Sequence, residues 1–247
     1  MHVSQARIEF SQLDEARFGF RTARAINVRE ADLPRIEHFC QEYDIRFCIA
    51  RCAAEDLGAA QALEHAGFRL MDTLVYYQRD LRRTPIPGDT GHILIRPALA
   101  EDEAAVVAVA VESFQGYRGH YHADPLLDRD KCDEVYTSWA ERSVASREVA
   151  DQVLVAELDG RIAGFATLRL NSPDEGEGVL FGVARFAQGR GIYRSFMLRA
   201  MDWCAEQGRQ VMIVSTQVTN IAVQKVWARL GFEPSHAYYT FHKWFEP

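Results

Sequence analysis

The chain has 247 residues, 48% of them hydrophobic, and a formal net charge of −7. That length buries a full core and allows two small domains. Acidic and basic residues are interspersed rather than blocked, which argues against nucleic acid as a partner, and no apolar run approaches the ~20 residues that would span a membrane.

In chain order, the hydrophobic pattern predicts a strand over 20–28, a helix over 32–43, a strand over 45–51, a helix over 57–66 and a strand over 68–81. In the first helix Leu33, Ile36, Phe39 and Cys40 share one face, and Pro34 sits in the first turn, where its missing N–H is not needed. Residues 82–91, RRTPIPGDTG, combine two prolines and two glycines without periodicity and read as a linker. A strand follows at 92–96, then a helix over 101–114 with Ala104, Val107, Val111 and Phe114 on one face. An aromatic-rich segment with turn signals fills 116–131, and a helix is expected over 132–146. Strands over 153–158 and 162–170 flank Asp159-Gly160, a strong hairpin dipeptide. A strand over 178–184, a helix over 191–207, a strand over 211–216, a helix over 219–230 and a strand over 236–245 complete the order.

The N-terminal MHVSQARIEF has no apolar signal core. The five cysteines (40, 48, 52, 132 and 204) form no C-x-x-C pair. Both observations point to reduced thiols in a cytoplasmic protein. Cys48 and Cys52 with a distant histidine would make a poor zinc site, so no metal is expected.

Residues 178–193, GVLFGVARFAQGRGIY, are the most informative stretch. Strand, glycine-rich turn and helix start make an anion cradle, because the first amides of a helix lack intrahelical partners and its dipole favours negative charge there. Gly189 and Gly191 remove the Cβ atoms that would keep a phosphate from those amides. The lysine of a Walker A loop is missing, and Arg194 stands where a dinucleotide fingerprint needs glycine. A different phosphate-bearing ligand is implied.

The stretch resembles the acyl-CoA signature of the GCN5-related N-acetyltransferase (GNAT) superfamily, Q/R-x-x-G-x-G/A, filled by Gln188, Gly191 and, in the last place, Tyr193 instead of a small residue. Residues 220–232, NIAVQKVWARLGF, resemble that superfamily's closing helix. The resemblance implies an α/β fold with a mixed sheet: a GNAT domain over 92–247, a linker at 86–91, and a truncated, degenerate GNAT-like domain over 1–85. Residues 63–68, LEHAGF, end their helix as residues 230–232 do, but the N-terminal half has no glycine-rich loop. Acetyl-CoA is implied as co-substrate. Backbone amides of Phe181, Gly182, Val183 and Ala184 would meet pantetheine and the thioester. Those of Gln188, Gly189, Arg190, Gly191, Ile192 and Tyr193 would hold the pyrophosphate, and Asn220 would touch pantetheine, unless it merely starts its helix. Trp227 stands where many members carry a tyrosine that protonates the departing thiolate, and an indole cannot do so at a useful pKa. Tyr193, Tyr238 and Tyr239 are the available phenols.

Two candidates stand for the general base. Glu177 precedes the strand at 178, although DEGEG also reads as an exposed turn; His122 lies in the acceptor-side loop and is of the residue type suited to proton transfer near neutral pH. Residues 117–139 resemble superfamily members that acetylate nucleotide-linked 4-amino-4,6-dideoxyhexoses in surface-polysaccharide pathways. That implies a sugar nucleotide as partner, with Tyr117, Arg118, Tyr121, Asp124 and Trp139 binding it. Aromatic faces suit sugars and an arginine fork suits phosphate, but Tyr117, Tyr121 and Tyr136 equally fit as packing residues. Another small amine (amino acid, polyamine or aminoglycoside), a non-catalytic CoA-binding module, and association into a homodimer all stay open.

Overall fold

The computed structural model describes residues 6–91 and 93–246; His92, the first residue of one expected strand, lies outside the described residues. Strand β1 (Arg7–Phe10) and helix α1 (Gln12–Phe18) come first, where no element was read from the sequence. Then follow β2 (Thr22–Ile26), α2 (Leu33–Glu42), β3 (Phe47–Ala53), α3 (Leu57–His65) and β4 (Arg69–Asp80). Beyond the Pro/Gly segment lie β5 (Leu94–Pro97), α4 (Glu103–Phe114), the short α5 (His120–Ala123) and α6 (Arg129–Ala145). The chain continues through β6 (Gln152–Leu158), β7 (Arg161–Leu170), β8 (Glu175–Val183), α7 (Ile192–Glu206), β9 (Val211–Gln217), α8 (Ile221–Arg229) and β10 (Glu233–Trp244). Two boundaries move in ways that matter for chemistry. Glu177 lies inside β8 rather than before it, because 176–178 pairs with both neighbouring strands; and 116–131 contains a helical turn.

Among the described residues, ten strands make one sheet in the order β1-β2-β3-β10-β4-β9-β8-β7-β6-β5. The segments β2-α2-β3-α3-β4 and β8-α7-β9-α8-β10 repeat one sequence of elements, each opening with a parallel pair joined by a helix. The last strand of each crosses to the other: β4 pairs with β9, β10 pairs with β3, and β4 and β10 pair antiparallel at the centre. The helices that precede them end alike. Gly67 (φ 83°) and Gly231 (φ 80°) take the left-handed conformation. The next amide then reaches back, Phe68 to the Leu63 carbonyl at 2.9 Å and Phe232 to that of Trp227 at 3.0 Å.

Side chains alternate across the sheet, and the core sorts accordingly. Leu154 and Ala156 of β6 pack with Phe196, Met197 and Trp227 on the α7–α8 face, whereas Val155 packs with Val106, Phe114 and Tyr136 on the α4–α6 face. The second layer also covers Phe47 and Ile49 of β3, so helices of the C-terminal half seal one face of the N-terminal strands. The five cysteines are all buried and unpaired. Among the described residues no helix is long and apolar enough to cross a membrane.

Candidate active site

The site begins where two parallel strands part. β8 and β9 pair from Glu175–Val211 to Gly178–Val214 and no further, so beyond Gly178 β8 has a strand neighbour only on the β7 side. Along an antiparallel ladder successive amides point to opposite edges. The Ala184 N–H bonds the Ala163 carbonyl at 2.9 Å, and the Leu180 N–H bonds Thr167 Oγ1 at 3.1 Å, both on the β7 side. By that alternation, Phe181 and Val183 present amides to the open edge, while Gly182 and Ala184 do not. Gly182 serves packing: a Cβ there would lie 2.5 Å from the Phe165 ring.

A cavity of about 520 Å³ opens in this split, with Phe181, Val183, Gln188, Tyr193, Asn220 and Trp227 in its wall. At its end the turn into α7 has the cradle geometry. Gly189 and Gly191 have φ of +76° and +81°, and no protein atom lies within 4 Å of where their Cβ atoms would be. The space in front of the turn is thus clear. The first bond inside α7 is Ser195 N–H to the Gly191 carbonyl, and no side chain caps the helix, so the amides of Ile192, Tyr193 and Arg194 are available to an anion. Arg190 is exposed beside them. Asn220 precedes α8 without capping it; its Nδ2 donates instead to Thr216 Oγ1 on the preceding strand β9, at 3.0 Å.

Trp227 is 2% exposed, and its Nε1–H donates to the Tyr193 phenol oxygen at 2.8 Å. Burial pushes the Tyr193 pKa up, opposed by that indole donor. Since the indole fills an acceptor lone pair, the phenol proton is left for another partner. Tyr238, by contrast, packs edge-on against Tyr76 and His236 on β10, and Tyr239 against Phe241, and neither lines this cavity.

A second cavity of about 520 Å³ adjoins the first across Phe114, Tyr117, Val179, Leu180, Ser215 and Thr216. Glu177 stands in its wall with Tyr121, Trp139 and five arginines: 17, 24, 51, 142 and 169. Burial raises the Glu177 pKa; the Asn171 amide, donating at 3.0 Å, opposes that rise. Tyr117 lines both cavities, its hydroxyl on Gln217, and burial pushes its pKa to about 12. Tyr121 is 3% exposed, donating to Asp14 Oδ1 at 2.7 Å and accepting from Arg24. Tyr121 therefore buttresses the wall more than it faces the cavity.

Other expected residues go elsewhere. His122 and Arg118 line a third cavity, of about 900 Å³, with Tyr117, Asp72 and Asp133. There His122 Nε2 bonds Asp133 Oδ1 at 2.9 Å, while His122 Nδ1 and both Asp72 carboxylate oxygens are buried without partners among the described residues. His122 and Glu177 thus face different cavities. Asp124 is 1% exposed and lines none of the three. Its Oδ2 accepts from His242 Nδ1 at 2.9 Å and Trp244 Nε1 at 3.0 Å, and its Oδ1 from the Leu126 amide at 3.0 Å, so no oxygen is left for an acceptor. Burial alone would raise its pKa, but these donors outweigh it and hold the carboxylate below its ordinary range.

Residues the sequence did not single out also belong here. His120 lines the acceptor-side cavity, and its Nδ1 bonds His242 Nε2 at 2.9 Å, continuing the chain from Asp124. Burial first, then the neighbouring His242, keeps the His120 pKa well below its usual value and the ring neutral. Arg24 and Arg51 come from β2 and β3 of the N-terminal half. The only sequence trace of this arrangement is the His-Tyr-His run at 120–122, whose outer members end in different cavities.

Residues 115–232 match the Acetyltransferase (GNAT) family, a span that includes β8, the cradle and α8. The spore coat polysaccharide biosynthesis protein SpsD of Bacillus subtilis (strain 168) is 24% identical over 80% of this chain and 66% of its own length. The dTDP-fucosamine acetyltransferase of Escherichia coli O6:H1 is 26% identical over 74% of this chain and 75% of its own. The fold is shared with a GCN5-related N-acetyltransferase from Sphaerobacter thermophilus, at a TM-score of 0.68 and 17% identity over 98% of this chain and 77% of that one. The match to the Acetyltransferase (GNAT) family thus falls on the residues that build the split strand pair and the turn into α7.

Proposed function

We propose that the protein transfers the acetyl group of acetyl-CoA to the amine of a nucleotide-linked amino sugar, in the manner of a surface-polysaccharide pathway. The observation that carries this reading is the pair of cavities meeting where β8 leaves β9. One has a phosphate cradle at its end; the other has a half-buried carboxylate and an excess of arginine in its wall. The names of two relatives, spore coat polysaccharide biosynthesis and dTDP-fucosamine acetylation, support the sugar. A polyamine or aminoglycoside, strongly cationic, would be repelled by that wall.

The first cavity takes acetyl-CoA: amides from Gly189 to Arg194 bind its pyrophosphate, that of Gln188 being taken by the Arg185 carbonyl at 3.3 Å, and those of Phe181 and Val183 extend the sheet edge onto pantetheine. Glu177 takes the acceptor's ammonium proton, its raised pKa matching it to that task. As nitrogen bonds the acetyl carbon and the carbon–sulfur bond breaks, Tyr193 gives its phenol proton to sulfur, and the second proton shed by the nitrogen passes to solvent, from which the phenolate is reprotonated. The Trp227 indole stabilises the phenolate that forms. The test is thiol release from acetyl-CoA against a panel of amines: dTDP- and UDP-linked 4-amino-4,6-dideoxyhexoses, amino acids, polyamines and aminoglycosides. Release confined to the amino-sugar nucleotides supports the reading, and release confined to another class replaces it.

A further inference from the structure

The arginines of the acceptor cavity are not equivalent. Arg24 is fixed by the interior: its Nε donates to Asp14 Oδ2 at 2.8 Å, and a second nitrogen donates to the Tyr121 hydroxyl. Asp14 is fully buried and also accepts from Ser11 and Tyr121, so its carboxylate is committed to holding this wall. Arg17 donates to Ser138 Oγ at 2.6 Å, and Arg142 Nε to the Ser138 carbonyl at 3.1 Å. Arg51, on β3 opposite Thr240 of β10, differs from all three. It is half-buried and, among the described residues, makes neither an ion pair nor a side-chain hydrogen bond.

A partly desolvated guanidinium without a counter-charge is unfavourable, and its natural complement is an oxyanion with two oxygens for the planar fork. Around it the cavity has one fixed arginine on the neighbouring strand, others on α1 and α6, Arg169 of β7, which is likewise unpaired among the described residues but exposed, and the neutral ring of His120, so that five arginines face two carboxylates, Glu148 and Glu177. We propose that Arg24 and Arg51 form a diphosphate-binding site for the acceptor, supplied by the N-terminal half of the chain. Asp14 and Tyr121 hold Arg24 in place, and Arg51 closes on the second phosphate. The N-terminal strands, which carry no CoA cradle, would thereby set acceptor specificity for a β8–β9 site built by the other half. The proposal rests on the reading that the acceptor is nucleotide-linked.

The test is calorimetric binding of inorganic pyrophosphate and of dTDP to protein saturated with CoA, so that the cradle at Gly191 is occupied. Wild type binds both, and Arg51→Gln weakens both by about 10- to 100-fold, the range of a lost charge-assisted hydrogen bond pair. Arg51→Lys, which keeps the charge without the fork, falls between. CoA affinity and the melting temperature stay at wild-type values, since Arg51 makes no ion pair that folding would lose. Pyrophosphate that fails to bind wild type, or binds Arg51→Gln equally well, overturns the proposal. Arg51-dependent binding in a protein that acetylates no amino-sugar nucleotide would keep the anion site and remove the sugar.

Discussion

The indole Nε1–H of Trp227, on α8, donates to the phenol oxygen of Tyr193, on the first turn of α7, at 2.8 Å. Two departures from the family pattern, a tryptophan in place of the usual tyrosine and a tyrosine in place of the usual small residue, are thus one contact. The phenol in this wall is that of Tyr193, held by the indole of Trp227.

Tyr193→Phe should lower kcat by about 100-fold, the lower range for loss of a general acid, with the acetyl-CoA KM little changed. Trp227→Phe keeps the phenol but loses its donor and should fall less. Trp227→Tyr should lose activity rather than gain it, because Trp227 fills a buried site against Tyr77 and a smaller ring would leave a gap. Steady-state kinetics of thiol release checks all three. Wild-type turnover in Tyr193→Phe would assign the proton to another group.

Glu177 makes a prediction about pH. Burial raises its pKa, so the group becomes an ionised base only at higher pH than an ordinary glutamate. The acid limb of kcat/KM should therefore rise through a pKa above the usual carboxylate range, and activity should be retained above it. Glu177→Gln should abolish that limb and lower kcat by about 10²- to 10⁴-fold. A limb that survives in Glu177→Gln would point to another titratable group of that wall, His120 or Glu148.

Gly191→Asp should weaken acetyl-CoA binding severely. The residue has φ of +81°, which a side chain rarely adopts, and the new carboxylate would face the pyrophosphate. Isothermal calorimetry with CoA should show at least about a 100-fold loss, the equivalent of roughly 2.7 kcal/mol. Gly191→Ala separates the terms: it keeps the conformational strain without the charge and should lose less.

Asp124 predicts stability rather than activity. Its folded-state pKa is depressed, so its contribution is fully present above the unfolded-state pKa and is lost as pH falls through the folded one. Asp124→Asn leaves His242 and Trp244 poorly matched and should cost about 3 kcal/mol. For a chain of this size that is a fall in Tm of roughly 6–12 °C at neutral pH. The difference from wild type should shrink in acid, which melting curves across pH would show.

The parts legible in the sequence are those written locally. Glycine spacing at 189 and 191 announces a turn with positive φ ahead of a helix, and apolar periodicity announces the helices that follow. The reading of Glu177 as a residue before the strand falls short because β8 begins at Glu175, where charged side chains alternate with buried glycines and hide the strand pattern. Asp124 and His122 look like acceptor-side groups in a polar, aromatic run. Their actual partners, His242, Trp244 and Asp133, are chosen by the fold, and two of them lie more than a hundred residues away on β10. Arg24 and Arg51 are single charges in otherwise apolar strands. Nothing local distinguishes them until β10 crosses to pair with β3 and brings both halves around one cavity.

If the cavity beside Glu177 takes a nucleotide-linked amine, the nucleotide must contribute to catalytic efficiency. The most direct measurement compares thiol release from acetyl-CoA with a dTDP-linked 4-amino-4,6-dideoxyhexose and with the same amino sugar lacking its nucleotide. Rapid release is expected with the first and a kcat/KM at least about 100-fold lower with the second, the loss of its phosphate contacts. Equal rates with both, or release with neither while an uncharged or cationic amine is acetylated, would contradict this expectation.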